Sequence, residues 1–230
     1  MDELIRFVRS RFKAMADPPK ARDMAAYMKT DMPFYGVQKP NRVLVYREAT
    51  TRFPITARAH YVDAIQGLWS QPHREEKYLA IQFAMGHPRF ITLASLPLYR
   101  RLILEGAWWD FVDDISIRLV GRVVLQERAK VRPIMDRWVD SPGTRNMWLR
   151  RSAIISHISH GEQTDQRQLF GHCLRRCDEK EFFIRKAIGW SLRHYARTAP
   201  KAVCGFLMEH RDELSPLSFR EAGKHLNLGS

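Results

Sequence analysis

The sequence predicts an all-α fold of short, paired helices, and three observations carry that reading. Apolar residues recur at helical spacing in successive segments, and few stretches alternate with period two. Most prolines, Pro54, Pro72, Pro88, Pro142, Pro200 and Pro216, lie between the segments, where a helix pair would turn or begin. Pro97 and Pro133 are the exceptions and suit the first turns of helices. A chain of 230 residues is long enough to bury a sizeable core, and a single domain over 1–230 is expected.

In order, residues 1–15 read as an amphipathic helix with Leu4, Ile5, Val8 and Phe12 on one face and Arg6, Arg9 and Lys13 elsewhere. The DPP at 17–19 ends it. A second helix carries Met24, Ala25, Tyr27 and Met28, and Gly36 and Pro40 mark a loop into the next. Periodicity then places helices near 40–51, 59–69, 73–86, 94–105, 108–126, 130–139, 145–158, 166–176, 181–197, 201–212 and 217–226. Such a series packs as a globular bundle or as a solenoid, and internal repetition decides between them. Leu149-Arg150-Arg151 matches Ile184-Arg185-Lys186 at a spacing of about 35, and WWDFVDDI laid on NMWLRRSA sets Asp113 over Arg151 at about 38. Those periods fit paired-helix repeats of the HEAT type, in which no unit buries its apolar face alone.

The formal net charge is +13, from 38 Lys+Arg against 25 Asp+Glu, which calls for a polyanionic partner. Nucleic acid comes first. A membrane surface comes second, because no terminal helix sets Lys/Arg opposite a strongly apolar face. No apolar run is long enough to span a bilayer and the start MDELIRFVRS is too charged for a signal peptide, so a cytoplasmic protein is expected. The 3 cysteines, Cys173, Cys177 and Cys204, make no disulfide framework. His172, Cys173 and Cys177 lack a second ligand pair at zinc-site spacing, so neither a metal nor another cofactor is expected.

The unusual chemistry is concentrated in two or three helices. On a helix through WWDFVDD, residues Trp108, Phe111, Val112, Ile115 and Leu119 share the core face. Trp109 cannot share it, and Asp113, at i+4, projects beside Trp109. An aromatic ring paired with an acid outside the core face needs a reason other than packing. Over 181–197 the core stripe is Ile184, Ala187, Ile188, Ser191, Leu192 and Tyr195, with Lys186, Trp190, Arg193 and Arg197 opposite. A tryptophan in a basic face suits stacking against nucleic acid. It equally suits packing beneath a neighbouring helix while the arginine stems snorkel. Arg150 and Arg151 emerge from a helix that is apolar nearly all round, so each needs a partner or an anion, and Asp113 or Asp114 is a candidate partner for Arg151. His157 and His160 open the stretch HISHGEQTDQRQ, which reads as a solvated loop without chemistry.

Taken together, WWDFVDDI, NMWLRRSAI, EFFIRKAIGWSLRHYA, the closing PLSFREAGKHL and the early MAAYMKTDMPFYGVQKPNR resemble the AlkD-like DNA alkylation repair family over nearly the whole chain. The resemblance implies a HEAT-like repeat solenoid, a right-handed superhelix whose concave basic groove holds double-stranded DNA. It also implies a DNA glycosylase that releases cationic N3- and N7-alkylpurines without base flipping and works as a monomer, without a cofactor or an obligate protein partner. By the same resemblance the catalytic aspartate falls on Asp113, and the sugar-facing tryptophans fall on Trp109 and Trp190. The phosphate-binding arginine falls on Arg151, backbone-contacting cations on Arg193 and Arg197 with Lys186 beside them, and the N-terminal motif near the lesion or opposite strand on Tyr27 and Gln38. Ser152 and Ser191 stand where other members often carry apolar residues. A HEAT-type scaffold without chemistry is the other reading, and an RNA-binding repeat protein is disfavoured because the unusual residues do not recur in every unit.

Overall fold

A computed structural model describes residues 2–227 of the chain, which packs as two compact units, Met1–Ile91 and Thr92–Ser230. Among the described residues every regular element is a helix.

In the first unit, α1 (Asp2–Ala14) buries Leu4, Val8 and Phe12, the i, i+4, i+8 set of its apolar face. Helix α2 (Pro18–Met28) starts where the first helix ends: the Asp17 side chain accepts the Lys20 backbone N–H, and Pro18 and Pro19 occupy the first turn, where a missing N–H costs nothing. No residue of α2 is buried. Helices α3 (Lys39–Arg52), α4 (Arg58–Trp69) and α5 (Arg74–Met85) enclose Val45, Ala49, Tyr61, Ile65, Leu68, Leu79 and Phe83. Periodicity does not show what orders the segment between α2 and α3. The fully buried Glu75 carboxylate accepts the backbone N–H groups of Tyr35, Gly36 and Val37 at 3.0, 2.9 and 3.0 Å. Its neighbour Glu76 accepts from the Tyr35 hydroxyl and the His73 N–H, both at 2.9 Å, and faces Arg9 at 3.1 Å. Two buried carboxylates are tolerable here because each is surrounded by donors.

The second unit opens with α6 (Leu96–Gly106), which takes Pro97 into its first turn as expected. One continuous helical run follows, composed of α7 (Trp109–Asp114), a π-helical segment (Ile115–Val120) and α8 (Gly121–Gln126). Then come α9 (Arg128–Val139), α10 (Met147–Ile155), α11 (Gln166–Leu174), α12 (Phe182–Ala196), α13 (Pro200–Glu209) and α14 (Pro216–Ala222). Helix α10 packs on α7 and the π-helical segment, α12 on α10, and α14 on α12, while α9, α11 and α13 flank this row. Polar ties repeat from one member of the row to the next. Ser191 Oγ donates to the Ile154 carbonyl across 37 positions, and Ser218 Oγ donates to the Arg185 carbonyl across 33. The two spacings lie close to the offsets of about 35 and 38 read from the sequence.

The structure corrects four expectations. Trp108 is not a core helical position but the extended N-cap of α7 (φ −149°, ψ 147°), whereas Phe111, Val112, Ile115 and Leu119 are fully buried as expected. Tyr195 on α12 is only partly covered, although the rest of its stripe is buried. Pro133 lies inside α9, because that helix starts two residues earlier than periodicity alone suggests, and the proline points to solvent. Finally, His157 and His160 are not solvated: their exposures are 2% and 6%. The chain folds back there because the π-helical segment brings Gly121 against the end of α10, where a Cβ would meet the Ser156 carbonyl oxygen at 2.5 Å. His160 Nε2 then donates to the Gly121 carbonyl at 2.8 Å.

His157 packs edge-on between His160 and His172, with ring centroids 5.3 and 5.9 Å away. Burial holds all three rings below the ordinary histidine value, His157 furthest, and the Asp136 carboxylate at 2.9 Å from His172 Nε2 only partly offsets this for His172. The unfolded chain therefore binds more protons than the folded one below pH 6.5, the ordinary value. Stability from this cluster should be level above that pH and fall beneath it, by about 1.4 kcal/mol per pH unit for each ring kept neutral. Melting temperatures of the wild type and His157→Phe between pH 8 and 5 check this: the variant should show the shallower acid slope, and equal slopes would refute it.

Candidate active site

The helical run beginning at Trp109 sets the geometry. Phe111, Val112 and Ile115 turn inward, leaving Trp109 and Asp113, one turn apart, on another flank. Both are partly covered rather than buried. Across from Asp113 stands α10, whose residues Met147–Ile155 are all buried, so a cation carried by this helix must find an internal anion. Arg151 does: its Nε and Nη2 each donate to one Asp113 oxygen at 2.8 Å, the bidentate geometry that a planar guanidinium favours. Its Nη1 donates to the Phe183 carbonyl at 2.7 Å. Three of the five guanidinium N–H groups are thereby used, and two remain for a further acceptor. Adjacent positions on a helix point about 100° apart, so Arg150 turns away from this site. It pairs instead with Glu179 and donates to the Ser141 and Gly143 carbonyls at 2.8 Å.

Aromatic rings wall the ion pair. The guanidinium carbon of Arg151 lies 5.8 Å from the centroids of both Phe183 and Trp190, within reach of the attraction between a cation and a ring face. Trp108, Trp148 and Phe183 form a cluster with centroid separations of 6.2, 5.7 and 4.9 Å. The Asp113 side chain keeps 17% of its exposure against 5% for Arg151, so the carboxylate is the less covered member of a largely buried pair. Burial pushes the Asp113 carboxyl above its ordinary value. Arg151 opposes that shift without cancelling it, and Asp114 and Asp110 add to it.

The structure thus brings Asp113, Arg151 and Trp190 together, with Trp109 one turn before the aspartate. Lys186 and Arg193 lie one turn either side of Trp190 on α12, and both are engaged by Glu221 of α14, at 3.2 and 2.8 Å. Arg197 is the exposed C-cap of α12. Tyr27, 73% exposed on α2, and Gln38, the exposed residue capping α3, belong to the first unit. Sequence reasoning missed Glu221, Glu179 and the Phe183 carbonyl. The sequence offered Asp113 and Asp114 as candidate partners for Arg151, and the structure selects Asp113. Among the described residues no group of three or more His, Cys, Asp or Glu side chains could hold a metal ion, and no helix is long and apolar enough to cross a membrane.

The family is fixed by comparison with known proteins. The model of the family described as DNA alkylation repair enzyme matches residues 8–226, and the chain belongs to that family. A solved structure from Enterococcus faecalis, described as a predicted DNA alkylation repair enzyme, superposes with a TM-score of 0.81. It is 30% identical, over 92% of this chain and 96% of that one. No curated protein matches the chain.

The pairing of Asp113 with Arg151 has a stability consequence. Asp113→Asn leaves the buried guanidinium without its anion and should cost about 1–3 kcal/mol, towards the lower end because the carboxylate is partly solvated. Replacing both residues, Asp113→Asn with Arg151→Met, should restore much of that loss. Denaturant titration of the two single variants and the double variant gives the coupling, and additive losses would show that the pair contributes nothing.

Proposed function

We propose that this protein is a DNA glycosylase that hydrolyses the N-glycosidic bond of cationic N3- and N7-alkylpurines in double-stranded DNA, as the first step of base excision repair. The observation that carries the reading is the Asp113 carboxylate, held by both oxygens and less covered than its partner Arg151, with Trp109 one turn before it and Trp190 against the same arginine. Alkylation at a ring nitrogen leaves the base positively charged, so it departs with the bonding electron pair as a neutral purine. The barrier that remains is the positive charge developing on the deoxyribose. Water then adds at the anomeric carbon and loses a proton.

Asp113 opposes that developing charge, and its fixed orientation means little reorganisation at the moment of reaction. At about 4 Å and an effective dielectric near 20, such an attraction is worth about 4 kcal/mol, or roughly a thousandfold in rate. Arg151 already draws on the same carboxylate, which lowers the net gain. The indole faces of Trp109 and Trp190 exclude bulk water and add attraction for a cationic sugar. A site that works without base flipping needs no pocket for an extruded base, in contrast to glycosylases that flip the nucleotide, and it would tolerate bulky adducts. Cations on α12 would hold the duplex in the second unit, and Tyr27 and Gln38 are proposed as DNA contacts of the first. The family match covers residues of both units, and the protein would act as a monomer.

The structural reading of Asp113, as a packing partner for Arg151 in a non-catalytic DNA-binding scaffold, is favoured by the same bidentate pair. Single-turnover release of 7-methylguanine separates the two, measured well below the melting temperature of each variant. Asp113→Asn should slow release by about a hundred- to a thousandfold while duplex affinity changes little. A variant that still excises at the wild-type rate would refute the catalytic role of Asp113, and wild-type protein that releases no base would leave the scaffold.

The pH dependence offers a second check. The carboxylate is the active form, so the rate should fall as pH drops through the Asp113 value. Burial raises that value, which places the acid limb above the ordinary aspartate range near 3.8. An acid limb at or below that range, after correction for the acid melting of the fold, would contradict the assignment.

A further inference from the structure

The Glu221 side chain bridges two cations on the face of α12 that carries Trp190. Lys186 Nζ meets one of its oxygens at 3.2 Å and Arg193 Nη1 meets the other at 2.8 Å. The bridge is partly open to solvent: the side-chain exposures are 36% for Lys186, 19% for Arg193 and 14% for Glu221. Trp190 lies between the two cations in sequence, four residues after Lys186 and three before Arg193, so all three lie on neighbouring turns. Glu221 is the carboxylate held by this pair of cations, and it arrives there on a backbone with little freedom. A Cβ at Gly189 would lie 2.5 Å from the Glu221 Cβ and 2.9 Å from the Ser218 carbonyl oxygen, so α14 can seat this closely only over a glycine. Ser218 Oγ fixes the seat by donating to the Arg185 carbonyl at 3.0 Å.

A bridging carboxylate presents two equivalent anionic oxygens to two separate donors. A phosphodiester presents two non-bridging oxygens with the same charge and nearly the same spacing. We propose that Lys186 and Arg193 form a seat for one backbone phosphate of DNA, which Glu221 occupies in the free protein and must vacate when the duplex binds. This inference rests on the nucleic-acid reading given above and deepens it by naming the seat and its internal occupant. Rotation about the three side-chain bonds of Glu221 clears the seat without moving α14. Once vacated, the carboxylate remains close to the phosphate and repels it, so the exchange weakens binding at every site on DNA by a similar factor. Its cost falls on undamaged and damaged duplex alike, which shortens the residence of the protein on the vast excess of undamaged sites.

Binding to an undamaged duplex across a range of salt concentrations tests this, with wild type and Glu221→Gln compared. The amide keeps the shape of the side chain and removes its charge. The variant should bind up to about tenfold more tightly at low salt, and its log K should fall more steeply with log salt, by up to about 0.9 for one phosphate more fully neutralised. Binding that is unchanged or weaker, with an unaltered melting temperature, overturns the seat and leaves Glu221 as a tether for α14. Glu221→Asp keeps the charge but is one methylene too short to bridge both cations. It should tighten binding by a smaller factor, and it serves as the test if the glutamine variant does not fold. Wild-type protein that binds no duplex at any salt overturns the nucleic-acid reading itself, whereas wild type that binds beside variants that bind no tighter overturns only the seat.

Discussion

A guanidinium on a helix with no solvent-facing side dictates much of the second unit. Arg151 sits in α10, every residue of which is buried, and a charge there is tolerable only if anions and carbonyls meet it. Asp113 from α7 and the Phe183 carbonyl at the start of α12 meet it from two sides. Three successive members of the helical row are thereby joined at one point, and the aromatic rings of Trp108, Trp148, Phe183 and Trp190 pack around the joint. The orientation of Asp113 follows from this constraint, since both of its oxygens are held.

The π-helical segment is a second constraint on the same helix. One wider turn between Asp114 and Gly121 lets the inward residues Ile115, Ser116, Leu119 and Val120 all be buried, and it moves Gly121 against the end of α10. The polypeptide after α10 then turns inward, and His160 caps the Gly121 carbonyl. Histidine suits this position because it can donate to a carbonyl while remaining neutral, at the cost of pH sensitivity in a region well removed in sequence from Asp113.

Much of this was legible in the sequence, for identifiable reasons. Helices such as α1 and α12 have one apolar face each, so spacing located them and their core stripes to within a few residues. The need of Arg151 for an anion was visible because its helix is apolar nearly all round, which narrowed the partner to Asp113 or Asp114. What escaped has a different physics. Glu75, Glu76, Glu179 and Glu221 act mainly on partners far away in the chain, 28 positions for Arg193 and Glu221 and 41 for Tyr35 and Glu76, and nothing in local periodicity distinguishes them from solvated acids. His157 and His160 look polar in a one-dimensional reading. Their burial depends on where the widened turn pushes the chain, and a helical period cannot report that. Trp108 was misplaced by a single position, because an N-cap residue continues the apparent periodicity of the helix it begins.

The loop before Gln38 illustrates how such distant acids shape inheritance. Glu75 grips Tyr35, Gly36 and Val37 by their backbone N–H groups alone. A grip on main chain is indifferent to side-chain identity. The path of that loop is therefore set in part from α5, some forty residues downstream, and in part by Gly36, whose φ is positive and where a Cβ would collide with the Asp17 carbonyl oxygen. A chain that keeps this path has to keep the glycine and the distant acid together.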